Sequence, residues 1–587
     1  MNESEAQPVK GAPERPLRIA IDPHGERVVP WRQTHRGGTR DDRMLREVTV
    51  SLPPKICDYS PALPPFVATQ SDMALTAIAR LDSTYGQHLI ALSALLLRAE
   101  SVASSKIEQV EASMDDFARA SHGIKSNPSA TSMVASTEAL GSLISSVDDR
   151  GPVTVASILA AHRILMADDP AEAAYAGRLR DVQNWIGGSD YAPRNAMYVP
   201  PPAETVEAYL ADLIDFANRD DLPALVQAAV AHAQFESIHP FTDGNGRVGR
   251  ALINVILRRR GVTSRVVVPL ASSLVAKKDA YFEVLAAYRE GDAAPIIRAV
   301  ARAAGTSAQE SETSAQRLAE LPELWIAQST ERAGRPPRAG SAALKILELL
   351  PTVPFFTTEE MEERIGGATS SVYGAIEKLA DAGVLRPLTN RMRKQVWCAG
   401  AIVDELEDLG GRIARHATDD PVWRDIQSQV IADLIQRDQA KWATLREVMA
   451  RVESSGPMRE AIDAARLSEE TRSALVESIK IPDAVRVNLE QLGASAALRE
   501  AIERTRMTDA VRNALADHAE VADSVRRAWV ELSENLVRST RLPESVIKAL
   551  GSLSVQSAPA ANIPSRVKRE SGTLPSRPPD PVAPTRS

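Results

Sequence analysis

Hydrophobic residues in the first half of the chain recur mainly at helical spacing. Between 71 and 120 they fall three or four residues apart, as in Met73, Leu75, Ile78, Leu81, Leu89, Leu92, Leu95 and Leu96. Similar blocks run from about 131 to 166 and from 206 to 260, the last interrupted once at 237–245. Apolar residues at this spacing line one face of an amphipathic helix. The pattern therefore predicts a mainly α fold.

The strongest strand signal in this half is short. It covers 195–199, between Gly187–Gly188 and a run of three prolines. Residues 341–400 show a different pattern. It predicts a helix, a short helix, a turn, a longer helix and a hairpin with alternating apolar residues, in this order. That order is typical of a winged helix-turn-helix.

The last third contains a degenerate repeat. Apolar residues recur at i and i+8, and usually at i+4, which places them on one helical face. We interpret 401–555 as a helical repeat region for interaction or oligomerisation, with a purely structural tail as the equal alternative. The predicted divisions are a disordered lead (1–50), an N-terminal helical region (51–130), a helical domain (131–305), a linker (306–340), the winged helix (341–400), the repeats (401–555) and a disordered tail (556–587).

Composition and charge exclude several classes of protein. The 587 residues include 69 Lys and Arg against 77 Asp and Glu, so the net charge is 69 − 77 = −8. A generally basic nucleic-acid coat is therefore excluded. The two cysteines, Cys57 and Cys398, allow neither a disulfide framework nor a cysteine-based zinc site. Without an apolar leader or a long apolar stretch, we expect a cytoplasmic protein with no membrane association.

The densest chemical signal lies at 239–250, between two apolar helical stretches. Pro240 disfavours helix at His239, so a loop opens there. A second helix should begin near Asn245, and its N-terminal N–H groups and dipole make an anion site. Arg247 and Arg250 lie three residues apart on one face of that helix, with Asn254 four further on, and suit a polyphosphate.

Two further residues of the loop extend this interpretation. Asp243 is a candidate ligand for the Mg²⁺ that accompanies a polyphosphate. His239 has an ordinary pKa suited to accepting a proton near neutrality. Each residue alone is more often structural, but twelve such residues between two helices favour a functional site. The loop is not a Walker P-loop, and His232 and His239 have no third zinc ligand nearby.

The stretch HPFTDGNGRVGR resembles the signature of the Fic (Fic/Doc, fido) family at each defining position. The similarity extends through AGRLR at 176–180, WIGG at 185–188, YVPPP at 198–202 and SSKIE at 104–108, and covers about residues 50–305. It implies a Fic-type catalytic domain over 131–305 with a small β-hairpin flap, preceded by a helix that inhibits it. A winged helix such as 341–400 often follows such domains.

The resemblance implies a protein adenylyltransferase, which transfers AMP from Mg-ATP to a Ser, Thr or Tyr hydroxyl of a target protein. His239 would be the general base, Phe241 a core anchor and Asp243 the Mg²⁺ ligand. The ATP-binding residues would be Gly244, Asn245, Gly246, Arg247, Gly249, Arg250 and Asn254.

Two further sets of residues receive roles from the same resemblance. Glu108, steadied by Ser104, would inhibit the transfer by pairing with Arg250. Tyr198 and Val199 of the flap would dock the target segment by strand addition. The family usually has Gly or Asn after the inhibitory glutamate, whereas Gln109 stands here.

Other functions remain open from the sequence alone. The same site could remove AMP from a modified protein or transfer another phosphate-containing group. A different class would be a nucleotide-sensing DNA-binding regulator. This alternative is favoured by the basic residues of the predicted hairpin, Arg386, Arg391, Arg393 and Lys394. The oligomeric state is open as well, with a homo-oligomer as one alternative. The target protein, the modified residue and the preferred base do not follow from the sequence.

Overall fold

Helices form most of the structure, as the apolar spacing predicts. The computed structural model describes residues 18–33, 36–84, 89–124, 127–388 and 395–430, and the repeats beyond residue 430 and the tail 556–587 lie outside the described residues. The helices are α1 (Arg40–Met44), α2 (Pro65–Thr84), α3 (Leu89–Ile107), α4 (Met114–Ser121), α5 (Pro128–Ser145), α6 (Val155–Met166), α7 (Val206–Ala217), α8 (Ala224–Ile238), α9 (Asn245–Arg259), α10 (Ala271–Ala276), α11 (Lys278–Arg289), α12 (Ala294–Ala333), α13 (Ala342–Leu349), α14 (Thr358–Ile365), α15 (Thr369–Asp381) and α16 (Gly400–Asp419).

The strands are short and form two small antiparallel sheets. They are β1 (Gly25–Pro30), β2 (Glu47–Leu52), β3 (Phe355–Thr357), β4 (Leu385–Pro387) and β5 (Val396–Ala399). β1 pairs with β2 in a register that places Gly25 opposite Leu52. The other sheet has the strand order β3-β5-β4.

Helix α8 forms the centre of the core, and each of its residues is buried. Its sequence is rich in Ala and Val on all sides, which is typical of a helix with neighbours all around. α7, α9 and α12 pack against it. The apolar block over 206–260 is interrupted twice rather than once, because Pro223 also separates α7 from α8.

The prediction of disorder over 1–50 is wrong for the described part of that segment. Ile19 is buried, and its N–H donates to the Asp292 carboxylate at 3.0 Å. β1 is ordered by its pairing with β2, whose Val48 and Val50 pack against Val199. These contacts join residues far apart in sequence, so local composition does not reveal them.

The segment 306–340, predicted as a partly helical linker, is helical over most of its length, but this helix continues α12 and is packed against its neighbours, so it is not a linker. The serines that suggested a linker lie on a buried face. Ser311 donates to the Ser307 carbonyl at 2.6 Å, and Ser307 donates to the Pro269 carbonyl at 3.1 Å. Their small side chains leave room for neighbouring helices, and Trp325 is buried further along α12.

The elements expected for 341–400 are present as α13, β3, α14, α15, β4 and β5, with Thr357 as the N-cap of α14. Their sheet lies beside α4: Arg119 donates to the Leu388 carbonyl at 2.6 Å. Arg386 pairs with Asp115 at 3.3 Å and with Asp404 at 3.4 Å. The other basic residues of the predicted hairpin, Arg391, Arg393 and Lys394, lie outside the described residues.

The first helix of the predicted repeat region, α16, packs against α3, α10 and α12. Glu405 of α16 is buried and accepts hydrogen bonds from Ser314 at 2.5 Å, Arg317 at 2.8 Å and Arg412 at 2.9 Å. Within the described ranges, no helix combines the length and apolarity needed to cross a bilayer.

The burial of Ser311 tests the packed state of α12. Replacing it with Leu should lower the free energy of unfolding by about 1–3 kcal/mol, because added methylenes have no space in a packed face. Gln316→Leu is the matched control, since Gln316 is exposed on the same helix and should tolerate the change. Urea unfolding followed by circular dichroism measures both. Equal stability of the two variants would mean that this part of α12 is not packed.

Candidate functional site

His239 ends α8 in the left-handed backbone conformation, with φ 50° and ψ 62°. Its N–H donates to the Phe235 carbonyl at 2.9 Å. The imidazole is buried, and Nδ1 makes no hydrogen bond to any described residue. Burial, together with the nearby Arg180 and Arg289 cations, lowers the pKa of His239 to about 3. The expectation of a pKa near neutrality is therefore corrected, and the imidazole is neutral at ordinary pH.

The loop after His239 is held by Phe241 and by a histidine that the motif does not contain. Phe241 is fully buried and stacks on His162 of α6, with ring centroids 3.7 Å apart. His162 Nδ1 accepts from the Gly177 N–H at 3.0 Å, so Nε2 carries the proton and donates to the Asp243 carbonyl at 3.1 Å. Burial lowers the pKa of His162 to about 4. Only its place on an apolar helix marks His162 in the sequence.

The side chain of Asn245 closes the same loop. Its carbonyl oxygen accepts from the Phe241 N–H at 2.8 Å, and its amide donates to the Phe241 carbonyl at 2.9 Å. These bonds use one of the two amide hydrogens of Asn245, and its role as a phosphate donor stays a prediction. Asn245 still begins α9, where the first N–H groups of a helix lack intrahelical partners.

Asn254 has a similar structural role two turns later. Its amide donates to the Val268 carbonyl at 3.2 Å and its oxygen accepts from the Val268 N–H at 2.9 Å. These bonds attach the segment after α9 to that helix. They use one of the two amide hydrogens, and the assignment of Asn254 to ATP stays a prediction.

Arg250 is 1% exposed and meets the two residues predicted to inhibit the site. Its Nε donates to the Ser104 hydroxyl at 2.9 Å, and its Nη2 donates to the Ser104 carbonyl at 2.9 Å and to Glu108 Oε1 at 2.6 Å. Burial alone would lower the pKa of Arg250, but the Glu108 carboxylate raises it. Burial would raise the pKa of Glu108, and Arg250 outweighs it and lowers that pKa.

The Glu108 carboxylate lies directly over the first turn of α9. A Cβ atom added at Gly246 would stand 1.9 Å from Glu108 Oε1 and 2.8 Å from Arg250 Nη1. Only glycine fits between these groups. The carboxylate therefore occupies space beside the N–H groups that were predicted to bind phosphate.

Gln109 follows Glu108 with φ 63°, which is the left-handed region. Gly and Asn reach this region with little strain, whereas other residues pay about 1–2 kcal/mol. Gly or Asn would therefore adopt this backbone conformation with less strain. Gln109 adopts the same conformation at a higher cost in free energy.

Arg247 and Asp243 form the open side of the loop. Arg247 is buried, donates to the Ser132 hydroxyl at 2.8 Å and lies 3.4 Å from Asp243 Oδ2. The Asp243 side chain is 55% exposed. One carboxylate, open to solvent beside an anion site, suits Mg²⁺, which binds few protein ligands and keeps substrate phosphates and water as the others.

The two remaining glycines of the predicted ATP site differ in role. Gly244 precedes α9 with φ 75°, a conformation that needs glycine for the tight turn. Gly249 instead allows α9 to approach α8, since a Cβ there would stand 2.6 Å from Glu236 Oε1 and 2.9 Å from Phe235 Cδ1. Gly249 is therefore a packing position, and its assignment to ATP stays a prediction.

The predicted strand at 195–199 is reduced to one antiparallel bridge, between Ile186 and Tyr198. Tyr198 is buried, and its hydroxyl donates to the Ser237 carbonyl at 2.6 Å. Its own carbonyl accepts from the Ile186 N–H at 2.8 Å, and the Val199 carbonyl accepts from the Ser51 N–H at 2.9 Å. The Tyr198 hydroxyl and the two carbonyls are thus bonded within the protein, and the docking role of Tyr198 and Val199 stays a prediction.

Comparison with known proteins agrees with the site at the level of a family. Residues 152–257 match the model of the Fic/DOC family, and this range contains His239, the glycine loop and almost all of α9. The chain is 32% identical over 161 residues to protein adenylyltransferase fic-1 of Caenorhabditis briggsae, covering 27% of this chain and 28% of that one. It is 36% identical over 154 residues to protein adenylyltransferase Fic of Nematostella vectensis, covering 26% and 32%.

The chain thus spans about three tenths of the length of these curated relatives. Among solved structures, a Fic family protein from Desulfovibrio desulfuricans G20 aligns with 58% of this chain and 98% of that one. The sequence identity is 20% and the TM-score 0.39, and no conclusion here rests on that likeness.

The neutral histidines around α8 and α9 should make stability depend on pH. His232 is fully buried, contacts the Tyr281 hydroxyl at 2.9 Å, and has its pKa lowered by burial from 6.5 to about 3. The unfolded chain then binds this proton more readily, so stability falls as pH drops below 6.5. Between pH 6.5 and pH 3, the free energy of unfolding of the wild type should fall by up to about 1.4 kcal/mol per pH unit more than that of His232→Gln.

Urea unfolding of both proteins at about pH 6.5 and pH 4.5 measures this difference. Because the two proteins share their other titratable groups, the comparison isolates His232. Parallel losses of stability in the two proteins would show that His232 titrates normally in the folded state.

Proposed function

We propose that this protein transfers AMP from Mg-ATP to a Ser, Thr or Tyr hydroxyl of a target protein, and that Glu108 inhibits the transfer. The observation that carries the proposal is the 2.6 Å contact of Glu108 with the buried Arg250, over the first turn of α9. The match of 152–257 to the Fic/DOC family and the names of the relatives support the reaction.

The anionic triphosphate would bind at the start of α9. Backbone N–H groups at 244–246 lie at the positive end of the helix dipole and would hold the α- and β-phosphates. Arg247 would contact the β-phosphate. Arg250 would contact the γ-phosphate with the nitrogen that now holds Glu108, while its bonds to Ser104 keep the guanidinium in place.

Asp243 would hold the Mg²⁺ that accompanies ATP, since its carboxylate is exposed at the mouth of the loop and only 3.4 Å from one cation. When bound, the metal ion would neutralise phosphate charge and orient the phosphates. His162 and Asn245 would maintain the loop that carries this carboxylate.

His239 would accept the proton of the target hydroxyl. As the hydroxyl oxygen bonds to the α-phosphorus, the bond from that phosphorus to the β-phosphate oxygen breaks, and pyrophosphate leaves. The low pKa of His239 in the free protein guarantees a neutral imidazole. The negative charge of bound ATP would raise that pKa and make the imidazole a stronger base.

Inhibition follows from competition for one guanidinium. Glu108 takes the donor that the γ-phosphate needs and adds negative charge beside an anionic ligand. ATP would then bind with its α-phosphate displaced from the line of attack, and a misplacement of about 1 Å can cost ~10²-fold in rate.

The Glu108 carboxylate also supports a second candidate, removal of AMP from a modified protein. It is one third exposed within the site and has a further oxygen that could orient a water molecule. For DNA binding the support is weaker. Residues 341–400 contain seven Lys and Arg and seven Asp and Glu, so their net charge is 7 − 7 = 0, and Arg386 is already paired with two carboxylates.

Glu108→Gly should raise AMP incorporation from labelled ATP, into the protein itself or a lysate target, by ten- to a hundredfold, because Arg250 becomes available to the γ-phosphate. Glu111→Gly is the matched control, since Glu111 is exposed just beyond α3 and should leave the rate unchanged. The Glu108→Gly, His239→Ala double variant should lose the gain.

Mass spectrometry of the labelled protein identifies the group transferred. An unchanged rate in Glu108→Gly would remove Glu108 from the mechanism. Loss of AMP hydrolysis from a modified protein in that variant would favour the second candidate. Preferential labelling from GTP or CTP would contradict AMP transfer.

A further inference from the structure

Arg180 lies beneath the loop of His239 with an unusual set of partners. It is 3% exposed, and its guanidinium makes no ion pair with any described residue. Instead it donates to backbone carbonyls: Nε to His239 at 2.8 Å, Nη1 to Val182 at 3.1 Å, and Nη2 to Pro201 at 2.5 Å and to Ile238 at 3.4 Å. Its own N–H donates to the Pro240 carbonyl at 3.0 Å.

Such a buried cation is expensive, because a charge removed from water needs a partner of opposite charge or a full set of hydrogen bonds. Carbonyl dipoles supply the hydrogen bonds here. Neutral residues could hold backbone together at lower cost, so the position of the cation requires a reason. The carbonyls that it holds belong to the end of α8, to the motif loop, to Val182, and to Pro201 in the predicted flap (186–202).

The backbone of His239 gives that reason. Its left-handed conformation is strained for a residue with a side chain, and such strain persists only where the surroundings hold it. Arg180 bonds to the carbonyl of this residue and to those on either side of it. The direction of the imidazole depends on this backbone conformation, since His239 is the C-cap residue that directly follows α8.

We infer that Arg180 is a positioning residue for the AMP transfer proposed above: it fixes the main chain of His239 and joins it, through Pro201, to the predicted flap. The inference rests on the proposed function for its effect on catalysis, but the structural link does not. One guanidinium connects the residue that would act as base with the segment on which a target would approach.

Arg180 acts on His239 in two ways, through its hydrogen bond to the His239 carbonyl and through its positive charge. Burial is the main cause of the low pKa of His239, and the Arg180 cation is the next. A neutral replacement should therefore raise the pKa of His239, whereas a Lys replacement keeps the charge but loses the fork of hydrogen bonds. The two substitutions separate charge from positioning.

The direct test measures the pKa and the chemical shift of the His239 imidazole by NMR, in ¹³C-histidine-labelled protein without nucleotide. The His239 resonance is assigned by its absence from the spectrum of His239→Ala. Arg180→Gln should raise the pKa of His239 by about one unit. Arg180→Lys should keep it low but shift the resonance, as the backbone conformation relaxes. Arg178→Gln is the matched control, because Arg178 is exposed two residues away and should change neither.

The catalytic readout uses the same variants in the Glu108→Gly background. Arg180→Lys should lower kcat about 10²-fold, as expected for a displaced base, with KM for ATP changed less than about threefold. Circular dichroism confirms that each variant is folded, and if Arg180→Gln does not fold, the Lys variant decides.

Either of two results would overturn the inference. In the first, the Arg180→Lys variant is folded and its His239 resonance is that of the wild type. In the second, Arg180→Lys in the Glu108→Gly background keeps the kcat of that background and changes only the KM for ATP. Absence of AMP transfer in Glu108→Gly itself would refute the proposed function. The NMR result would then still decide whether Arg180 positions His239.

Discussion

Burial of the Arg250 guanidinium is the constraint on which the site depends. A charge that is 1% exposed must be neutralised nearby, and the free protein does so with Glu108 and with two bonds to Ser104. In the proposed function, the negative charge of a nucleotide would replace that of Glu108. The two groups could not both accept the same hydrogen bond from Arg250 Nη2. In the proposed function, the contact that neutralises Arg250 in the free protein is the contact that a triphosphate would have to break.

Glu108 reaches this position because α3 is held along its length. α5, α9, α10, α12 and α16 pack against it. Just beyond α3, α4 is joined to the 342–399 elements by Arg119 and by the Asp115–Arg386 pair. The two helices that flank Glu108 are therefore packed against segments up to almost three hundred residues further along the chain.

The sequence predicted well those features that depend on local pattern. The helices around 239–250, the start of α9 at Asn245, and the meeting of Ser104, Glu108 and Arg250 follow from spacing and from the family resemblance. Bonds from side chains to distant backbone groups were not predicted. Arg180, His162 and Asn254 each bond to main-chain atoms, which leave no signature in residue type.

The errors in the fold have the same origin. Composition suggested disorder before residue 50 and a linker after 306, yet β1 is ordered by pairing with β2 and the serines of α12 by burial. In each case a long-range contact overrode a local preference.

The most direct test of competition for Arg250 is equilibrium binding of ATP and ADP by calorimetry, with His239→Ala present throughout to prevent turnover. If Glu108 holds the γ-phosphate donor, the parent protein should bind ATP and ADP with similar affinity. Adding Glu108→Gly should then favour ATP over ADP by about tenfold or more, which is ~1.4 kcal/mol for one recovered contact. The account is contradicted if the parent already prefers ATP to that extent, or if Glu108→Gly leaves the ratio unchanged.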